Sequence, residues 1–292
     1  MTPSTGRGSA LREGGEGEYG VVVGNCQAES LRIVLDSPDL RLIRVPPVHE
    51  MDAADAAALH ELLAGAAALV TQPVRDDYHG LPVGTAQLRR ALPQAAAMVT
   101  FPVLRFTGLH PFQAVLHVEG VEEAPPVVAY HDVRTLAEAA GLTVASHLRP
   151  GAVRAVAADS LAELRRREQD IDVAASDLFE PARFSSMRTV NHPGNEIFLA
   201  LGERVLRALG RSGSPTDPGR PLLSAVRAPR EEWVIDAWGS GVAPHRDWLV
   251  GGERVGVDEV AAAHREWYSR HPAFVDAALT RLAPLLTRWT AG

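Results

Sequence analysis

The stretch Tyr-Gly-Val-Val-Val-Gly-Asn-Cys-Gln-Ala-Glu-Ser, residues 19–30, decides the fold of this chain. Its run of valines predicts a buried strand, and Gly24 and Asn25 end that strand because both residue types tolerate unusual backbone angles. Residues 28–35 then carry apolar side chains at helical spacing. Cys26, the only cysteine in the chain, is therefore expected in the first turn of a helix that follows the first strand.

This position for Cys26 has two interpretations. Free backbone N–H groups and the positive end of the helix dipole lower the pKa of a thiol and attract anions, which favours a reactive thiolate. A small buried cysteine in the first strand–helix unit fits the same pattern. The residues beside Cys26 do not decide between the two.

The composition limits the classes of protein to which the chain can belong. With 292 residues, 46% of them hydrophobic, it can bury a full core as one large α/β domain or as a domain with a helical annex. A net charge of -7 gives no support for a nucleic-acid partner, and no apolar stretch is long enough to span a membrane. Because a single cysteine excludes an intrachain disulfide and we find no secretory signal, we expect the protein to be located in the reducing cytoplasm.

Strands and helices alternate along the first hundred residues. After the first unit, strands are predicted at 40–45, 67–71 and 96–101, and helices at 52–64, with Asp52 as the N-cap, and 84–91. Short links between these elements favour an α/β fold with a mostly parallel sheet wrapped by helices. Ligands bind beyond the carboxyl ends of the strands in such sheets. We therefore expect residues 25–27, Gln72 and the segment after Phe101 to meet at one edge.

The rest of the chain is predicted to be loops and helices. Helices are expected at 132–140, at 159–169 with Asp159 or Ser160 as the cap, and at 257–271 and 272–289. Pro193 fits the first turn of a further, amphipathic helix, whose apolar residues repeat every four positions from Ile197 to Leu209. We predict a disordered tail at residues 1–18, an α/β domain at 19–211, a mobile linker at 212–220 and a helical C-terminal region at 221–292, packed on the same domain. That last region covers the sheet or forms a homodimer contact, and the sequence leaves both open.

A thiol nucleophile needs a base, and three of the eleven histidines stand in distinctive local sequences. These are His110, His131 and His192. We choose His192 first, because a helix follows it and Asn191 lies beside it. Each of the three is also compatible with a capping or packing role.

Metal and phosphate sites are less well supported. No spacing fits zinc or calcium ligands, so we expect no metal. Residues 24–27 lack the glycine patterns of dinucleotide folds and P-loops. Even so, the helix start together with Arg75, Arg105 and Arg188 could hold an anionic cofactor, although such arginines more often form solvated ion pairs.

Five short motifs occur in order and carry a resemblance to a known family. They are Gly24-Asn25-Cys26-Gln27, Thr71-Gln72-Pro73, Gly108-Leu109-His110-Pro111, Tyr130-His131-Asp132 and Asn191-His192-Pro193. Over residues 19–209 the chain resembles the WcbI-type polysaccharide biosynthesis acetyltransferase family. The resemblance implies a cytoplasmic α/β protein that binds coenzyme A or acetyl-CoA and transfers an acetyl group to a sugar hydroxyl during capsule or other surface-polysaccharide synthesis.

The residues and the resemblance together give a hypothesis for the mechanism. His192, with His110 and His131 as rivals, takes the proton from the acceptor hydroxyl. The N–H groups at the helix start stabilise the oxyanion with the side chains of Asn25 and Gln27. The remaining assignments are Gln72 and Asn191 as further substrate-binding residues and Gly24, Arg75, Arg105 and Arg188 as cofactor-binding residues. Cys26 is either a covalent acyl carrier or a small residue that the turn requires.

Two other functions fit the same motifs. An acyl-sugar esterase would use the same oxyanion site with water as the acceptor. A catalytically silent module would use the same motifs to bind coenzyme A or a glycan without catalysing a reaction. In each case we expect a small-molecule or glycan partner.

Overall fold

The computed structural model describes residues 18–180 and 182–290, so residues 1–17 of the predicted tail lie outside the described part. The chain forms two compact units. Unit 1 contains residues 18–104 together with 164–180 and 193–223. Unit 2 contains residues 105–163, the segment up to His192 that follows residue 181, and the chain from Ser224 onward. The predicted boundaries at 211 and 220 stay a prediction.

Unit 1 is built on a parallel four-stranded sheet. In chain order its elements are β1 (Tyr19–Val23), α1 (Cys26–Leu35), β2 (Arg41–Ile43), α2 (Ala53–Leu63), β3 (Ala68–Thr71), α3 (Thr85–Ala91) and β4 (Ala97–Thr100). The strand order is β2-β1-β3-β4, and every pairing is parallel. The predicted α/β fold with a parallel sheet wrapped by helices is therefore confirmed.

The first two helices of unit 1, α1 and α2, begin at residues whose side chains cap them. Asp52 caps α2 as predicted, and it forms a reciprocal capping box with Asp55. Leu59 and Leu63 of α2 and Leu88 of α3 are buried against Val21 of the sheet in one apolar cluster. This packing fixes the carboxyl edge of the sheet, where the candidate residues of unit 1 lie.

The rest of the chain adds short strands between longer helices. In chain order these elements are β5 (Gln113–Ala114), β6 (His131–Asp132), α4 (Val133–Ala139), α5 (Pro150–Arg167), β7 (Met187–Thr189), β8 (His192–Pro193), α6 (Asn195–Ala208), β9 (Val226–Arg227), α7 (Glu232–Trp238), β10 (Trp248–Val250), β11 (Glu253–Val255), α8 (Val257–Arg270) and α9 (Pro272–Thr290). The two C-terminal helices match the predicted ranges closely. No helix in the described part of the chain is long and apolar enough to cross a membrane.

Two predicted helix starts were wrong. The helix expected at 159–169 begins at Pro150, a residue type suited to a first helical position, so Asp159 and Ser160 lie inside α5 and cap nothing. Pro193 belongs to β8 rather than to a first helical turn, because Gly194 is the N-cap of α6. The apolar face expected for α6 is confirmed by its buried side chains.

Unit 2 contains a three-stranded antiparallel sheet, in the order β11-β10-β9, in a region for which no strands were predicted. Gly251 and Gly252, with φ angles of 61° and 94°, form the turn between β10 and β11. Trp248 of β10 packs in a cluster with Tyr130 and Val190. The strands have only two or three residues each, too few to give a period-two signal.

Candidate active site

Cys26 is the first residue of α1, directly after the turn that ends β1. The side-chain oxygen of Asn25 accepts a hydrogen bond from the backbone N–H of Gln27 at 2.9 Å and so caps the helix. The backbone N–H of Asn25 donates to Oε1 of Gln72, 2.8 Å away. Cys26 itself is half-buried, and its thiol is free. The predicted place of the cysteine is confirmed.

Two buried glutamines connect the loops around this turn. Nε2 of Gln72 donates to Oε1 of Gln27 at 3.1 Å. Gln27 also pairs with the backbone of Leu104, accepting from its N–H at 2.9 Å and donating to its C=O at 2.7 Å. The segments that follow β1, β3 and β4 therefore meet at the carboxyl edge of the sheet, as predicted.

These hydrogen bonds bear on the roles predicted for the two glutamines. Each side chain is only 1% exposed, and its amide is used by other protein groups. This favours positioning of the Cys26 turn over direct contact with an oxyanion. The substrate-binding roles of Gln27 and Gln72 stay predictions.

Gly24 is required by the close approach of Gln72. A Cβ atom at position 24 would lie 2.5 Å from Oε1 of Gln72, closer than real Cβ contacts. The glycine thus lets the Gln72 amide reach the N–H of Asn25. Its predicted contact with a cofactor remains untested.

The pKa of the Cys26 thiol lies above its ordinary value, which argues against a reactive thiolate in the free protein. Burial raises this pKa, whereas hydrogen bonds from the backbone N–H groups of Cys26 and Gln27 act in the opposite direction. The charge of Glu50 adds to the rise. Because desolvation outweighs the helix start, the free protein holds Cys26 as a thiol at neutral pH.

Arg75 lies in the loop after β3 and is exposed. Its guanidinium stands 5.9 Å from the ring centre of Tyr78 and forms no ion pair with any residue in the described ranges. This side chain offers an uncompensated positive charge in unit 1. Asn25, Gln72 and Arg75 are thus on loops that follow strands of one sheet, and Cys26 and Gln27 begin the helix that follows the first of these loops.

In unit 2, the hydroxyl of Tyr130 connects the residues around His192. It donates to Oδ1 of Asn191 at 2.9 Å and accepts from Oγ1 of Thr189 at 2.9 Å. Nε2 of His192 lies 3.3 Å from the same oxygen. Burial lowers the pKa of His192 to about 4, and the nearby charge of Arg188 acts in the same direction. His192 is therefore a neutral imidazole at pH 7, the form that can accept a proton.

The other two candidate histidines lie in apolar surroundings within unit 2. His110 is 4% exposed and packs edge-on against Phe184, and burial lowers its pKa to about 4. His131 is 1% exposed, with Nδ1 2.7 Å from the hydroxyl of Tyr268 and its ring next to Phe274. Burial lowers the pKa of His131 to about 3. The aromatic cluster around His131 favours a packing role for it.

Arg105 and Arg188, both partly buried, also belong to unit 2. Arg105 precedes Phe106, whose N–H donates to the carbonyl of Val190, and Arg188 lies in β7, where its carbonyl accepts from Ala228. The two arginines therefore stand on backbone segments that are fixed by hydrogen bonds. Their predicted contact with a cofactor remains a prediction.

Sequence reasoning missed the two residues that organise the His192 region. Tyr130 belongs to the motif Tyr130-His131-Asp132, but the sequence predicts a functional role for His131 rather than for Tyr130. Thr189 carried no signal, because a lone threonine before Val190 is typical of any strand. Among the described residues, no group of three or more His, Cys, Asp or Glu side chains is arranged to hold a metal ion.

A sequence model of the family described as "Polysaccharide biosynthesis enzyme WcbI" matches residues 19–214, about two thirds of the chain. The chain belongs to the WcbI family. A solved structure of WcbI is similar to it, with a TM-score of 0.75 and 18% sequence identity over 90% of this chain and 95% of that one. That structure is described as a novel polysaccharide biosynthesis enzyme in its native form, without a disulfide bond between coenzyme A and a cysteine. Comparison with curated proteins gives no match.

Proposed function

We propose that this WcbI-family protein is an acetyltransferase that moves an acetyl group from acetyl-CoA to a sugar hydroxyl in the synthesis of a surface or capsular polysaccharide. The family description supports polysaccharide biosynthesis, and the WcbI structure is named together with coenzyme A. The observation that carries the proposal is the seat of Cys26, a half-buried thiol at the first position of α1 on a turn fixed by Asn25 and Gln72. We place the reaction in the cytoplasm.

The residues of unit 1 suit the anionic donor. Coenzyme A, when bound, supplies an acetyl thioester together with negatively charged phosphates. The exposed guanidinium of Arg75 attracts phosphate, whereas the N–H groups at the start of α1 lie beside Cys26, where we expect the thioester end of the donor. The same N–H groups stabilise negative charge that develops on the acetyl oxygen during transfer.

His192 is our choice for the base. Its neutral imidazole accepts the proton of the attacking sugar hydroxyl, and the Tyr130 hydroxyl beside it restricts the orientation of the ring. A pKa near 4 makes His192 a weak base in the free protein. Binding of an anionic substrate near the imidazole raises its pKa, because negative charge favours the protonated form.

The protonated state of Cys26 favours direct transfer over a covalent acyl-enzyme. A thiol with a raised pKa is a poor nucleophile, since the thiolate is the attacking species. In direct transfer, Cys26 contributes a small side chain that leaves room for the thioester. The sugar oxygen would add to the acetyl carbon, and the bond from that carbon to the sulfur of coenzyme A would then break, with the proton taken up by His192 passing to the leaving thiolate.

An acetyl-transfer assay with variants of Cys26 tests these roles. We expect Cys26→Ala to retain transfer to sugar, and we expect His192→Ala to lose at least tenfold in kcat, while His110→Ala keeps most of it. Full loss in Cys26→Ala together with an acetylated Cys26 detected by mass spectrometry in the unmodified protein would establish the covalent route. Loss in His110→Ala but not in His192→Ala would reassign the base.

A second measurement, which does not depend on turnover, tests whether coenzyme A reaches Cys26. The symmetrical disulfide of coenzyme A can exchange with the thiol, so that one coenzyme A joins Cys26 and the other leaves as a thiol. We expect the mass of one coenzyme A to be added, with no addition in Cys26→Ser and slower exchange in Arg75→Gln. Equal exchange with glutathione disulfide would contradict a coenzyme A site.

The dependence of acetyl-CoA consumption on a sugar acceptor distinguishes an acetyltransferase from an esterase and from a binding module. Acetyl-CoA consumption that requires a sugar supports a transferase. Hydrolysis of acetylated sugar with water as the acceptor would indicate an esterase. Tight binding of coenzyme A or glycan with no turnover across a broad acceptor panel would indicate a binding module and overturn the proposal.

A further inference from the structure

A cavity of about 930 Å³ lies within unit 2, and every residue that lines it belongs to that unit. Its wall combines the aromatic side chains of Tyr130, Trp233 and Trp248 with several charged groups. Sugars present apolar C–H faces and a rim of hydroxyl groups, so they match walls that mix aromatic rings with donors and acceptors. This volume is large enough for a small glycan unit.

Arg134 in this cavity is already fully engaged. Its guanidinium contacts Oδ2 of Asp132 at 2.6 Å and Oε1 of Glu231 at 2.8 Å, and it donates to the carbonyl of Ser146 at 2.9 Å. Although burial alone would lower the pKa of Arg134, the two carboxylates raise it above its ordinary value. Its charge is compensated, and its part is to shape the wall.

Arg230 lines the same cavity but has no such partners. Its backbone pairs with His245, whereas its guanidinium makes no hydrogen bond or ion pair with any described residue. Burial lowers the pKa of Arg230, and Arg227 acts in the same direction. Arg230 also contributes to the lowered pKa of His245, which burial causes first. A guanidinium stays charged in proteins, so this half-buried cation has no carboxylate within 4.0 Å among the described residues.

Acceptors for hydroxyl groups are present as well. The carboxylates of Glu232 and Asp236 line the cavity and are exposed. Carboxylates accept hydrogen bonds from hydroxyls with charge assistance. The cavity thus offers an anion-binding group, hydroxyl acceptors and aromatic faces together.

We propose that this cavity binds the acceptor as an anionic sugar, with Arg230 pairing to the phosphate or carboxylate of that sugar. The role as acceptor site rests on the proposed acetyl transfer, and Tyr130, which lines the cavity and contacts His192, connects the two. Glu232 and Asp236 accept hydrogen bonds from the sugar hydroxyls. Bidentate pairing of a guanidinium with a phosphate or carboxylate accounts for an unpaired arginine at this place.

Equilibrium binding measured by calorimetry, without coenzyme A and without turnover, tests the proposal. The ligands are glucose, glucuronate, glucose 1-phosphate, UDP-glucose and coenzyme A. We expect at least one anionic sugar to bind at least tenfold more tightly than glucose, because charge-assisted bonds are roughly twice as strong as neutral ones. Tighter binding of the phosphates identifies a sugar phosphate, and tighter binding of glucuronate identifies an acidic sugar.

Variants of Arg230 test whether this side chain is responsible for the tighter binding of an anionic sugar. We expect Arg230→Gln to lose at least tenfold in affinity for the anionic sugar and none for glucose, and Arg230→Lys to lose less. The matched control Arg281→Gln, at an exposed position of α9 away from the lining, should bind like the unmodified protein. Melting temperatures of all variants exclude unfolding as the cause of lost affinity.

Three results would overturn the proposal: glucose binding as tightly as every anionic sugar, unchanged binding in Arg230→Gln, or loss of only coenzyme A binding in that variant. The last would assign the cavity to the phosphates of coenzyme A. Binding of the anionic sugar without any acetyl transfer would instead count against the proposed function and leave this site in place.

Discussion

Oε1 of Gln72 accepts a hydrogen bond from the backbone N–H of Asn25 at 2.8 Å, so the residue that follows β3 holds the turn that carries Cys26. Nε2 of the same amide reaches Gln27, the second residue of α1. One buried side chain thus supports the peptide on each side of the cysteine. The geometry around the thiol depends on this amide more than on the cysteine itself.

Replacing Gln72 by alanine should lower the free energy of unfolding by about 1–3 kcal/mol, because it removes the acceptor of the Asn25 backbone N–H and one of the two donors to Oε1 of Gln27. Urea denaturation followed by circular dichroism measures the change. Gln169→Ala, at an exposed position of the same unit, is the matched control and should change stability by less than about 0.5 kcal/mol. Equal stability of the two variants would show that water replaces the amide at no cost.

The alkylation of Cys26 should depend on pH with a midpoint above the ordinary thiol value of 9.0, because burial raises the pKa of Cys26. The chain has a single cysteine, so the total rate with iodoacetamide reports on this thiol alone. In urea the midpoint should return to the ordinary value. A midpoint below 9.0 in the folded protein would mean that the helix start outweighs desolvation.

Stability should fall as the pH drops from about 6.5 toward 3, in part because of His131. Burial lowers the pKa of His131 in the folded protein to about 3, so the unfolded chain binds an extra proton throughout that range. His131→Phe should flatten the slope of unfolding free energy against pH by up to about 1.4 kcal/mol per pH unit. Tyr268→Phe, which removes the hydrogen-bond partner but keeps the histidine, should retain the slope; a flattened slope there would point to another titrating group.

Tyr130→Phe should reduce kcat for acetyl transfer by roughly tenfold, the effect of losing one hydrogen bond that orients His192. Stacking on Trp248 does not need the hydroxyl, so we expect the fold to persist. The KM for acetyl-CoA should stay unchanged. Tyr78→Phe is the control, and equal kcat in both variants would remove Tyr130 from the mechanism.

Arg134→Gln should destabilise the protein by about 1–2 kcal/mol, since it leaves the half-buried carboxylates of Asp132 and Glu231 without their shared partner. Arg230→Gln loses no protein contact and should melt near the unmodified temperature. Thermal denaturation of the pair checks this contrast between two arginines of one cavity. A larger loss in Arg230→Gln would reveal a structural role for that side chain.

The sequence predicted the parallel sheet and the convergence of residues 25–27 and 72, because β-branched runs ended by Gly or Pro give strong local signals. It missed the sheet of β9, β10 and β11, whose strands are too short for a pattern to emerge. The sequence left the direction of the Cys26 pKa shift open, because burial opposes the effect of the helix start and depends on distant parts of the chain. Tyr130 escaped for the same reason, since only the tertiary structure brings Thr189 and Asn191 to its hydroxyl.

The hydrogen-bonded pair of Gln27 and Gln72 at the start of α1 has a practical use. A spin label or fluorophore attached to the sulfur of Cys26 would be carried by a backbone segment that hydrogen bonds hold in place. Its spectrum would therefore report on the surroundings of the label rather than on motion of the backbone. This makes the chain, without any engineering, a sensor whose reporter already stands beside the place where substrates are expected to arrive.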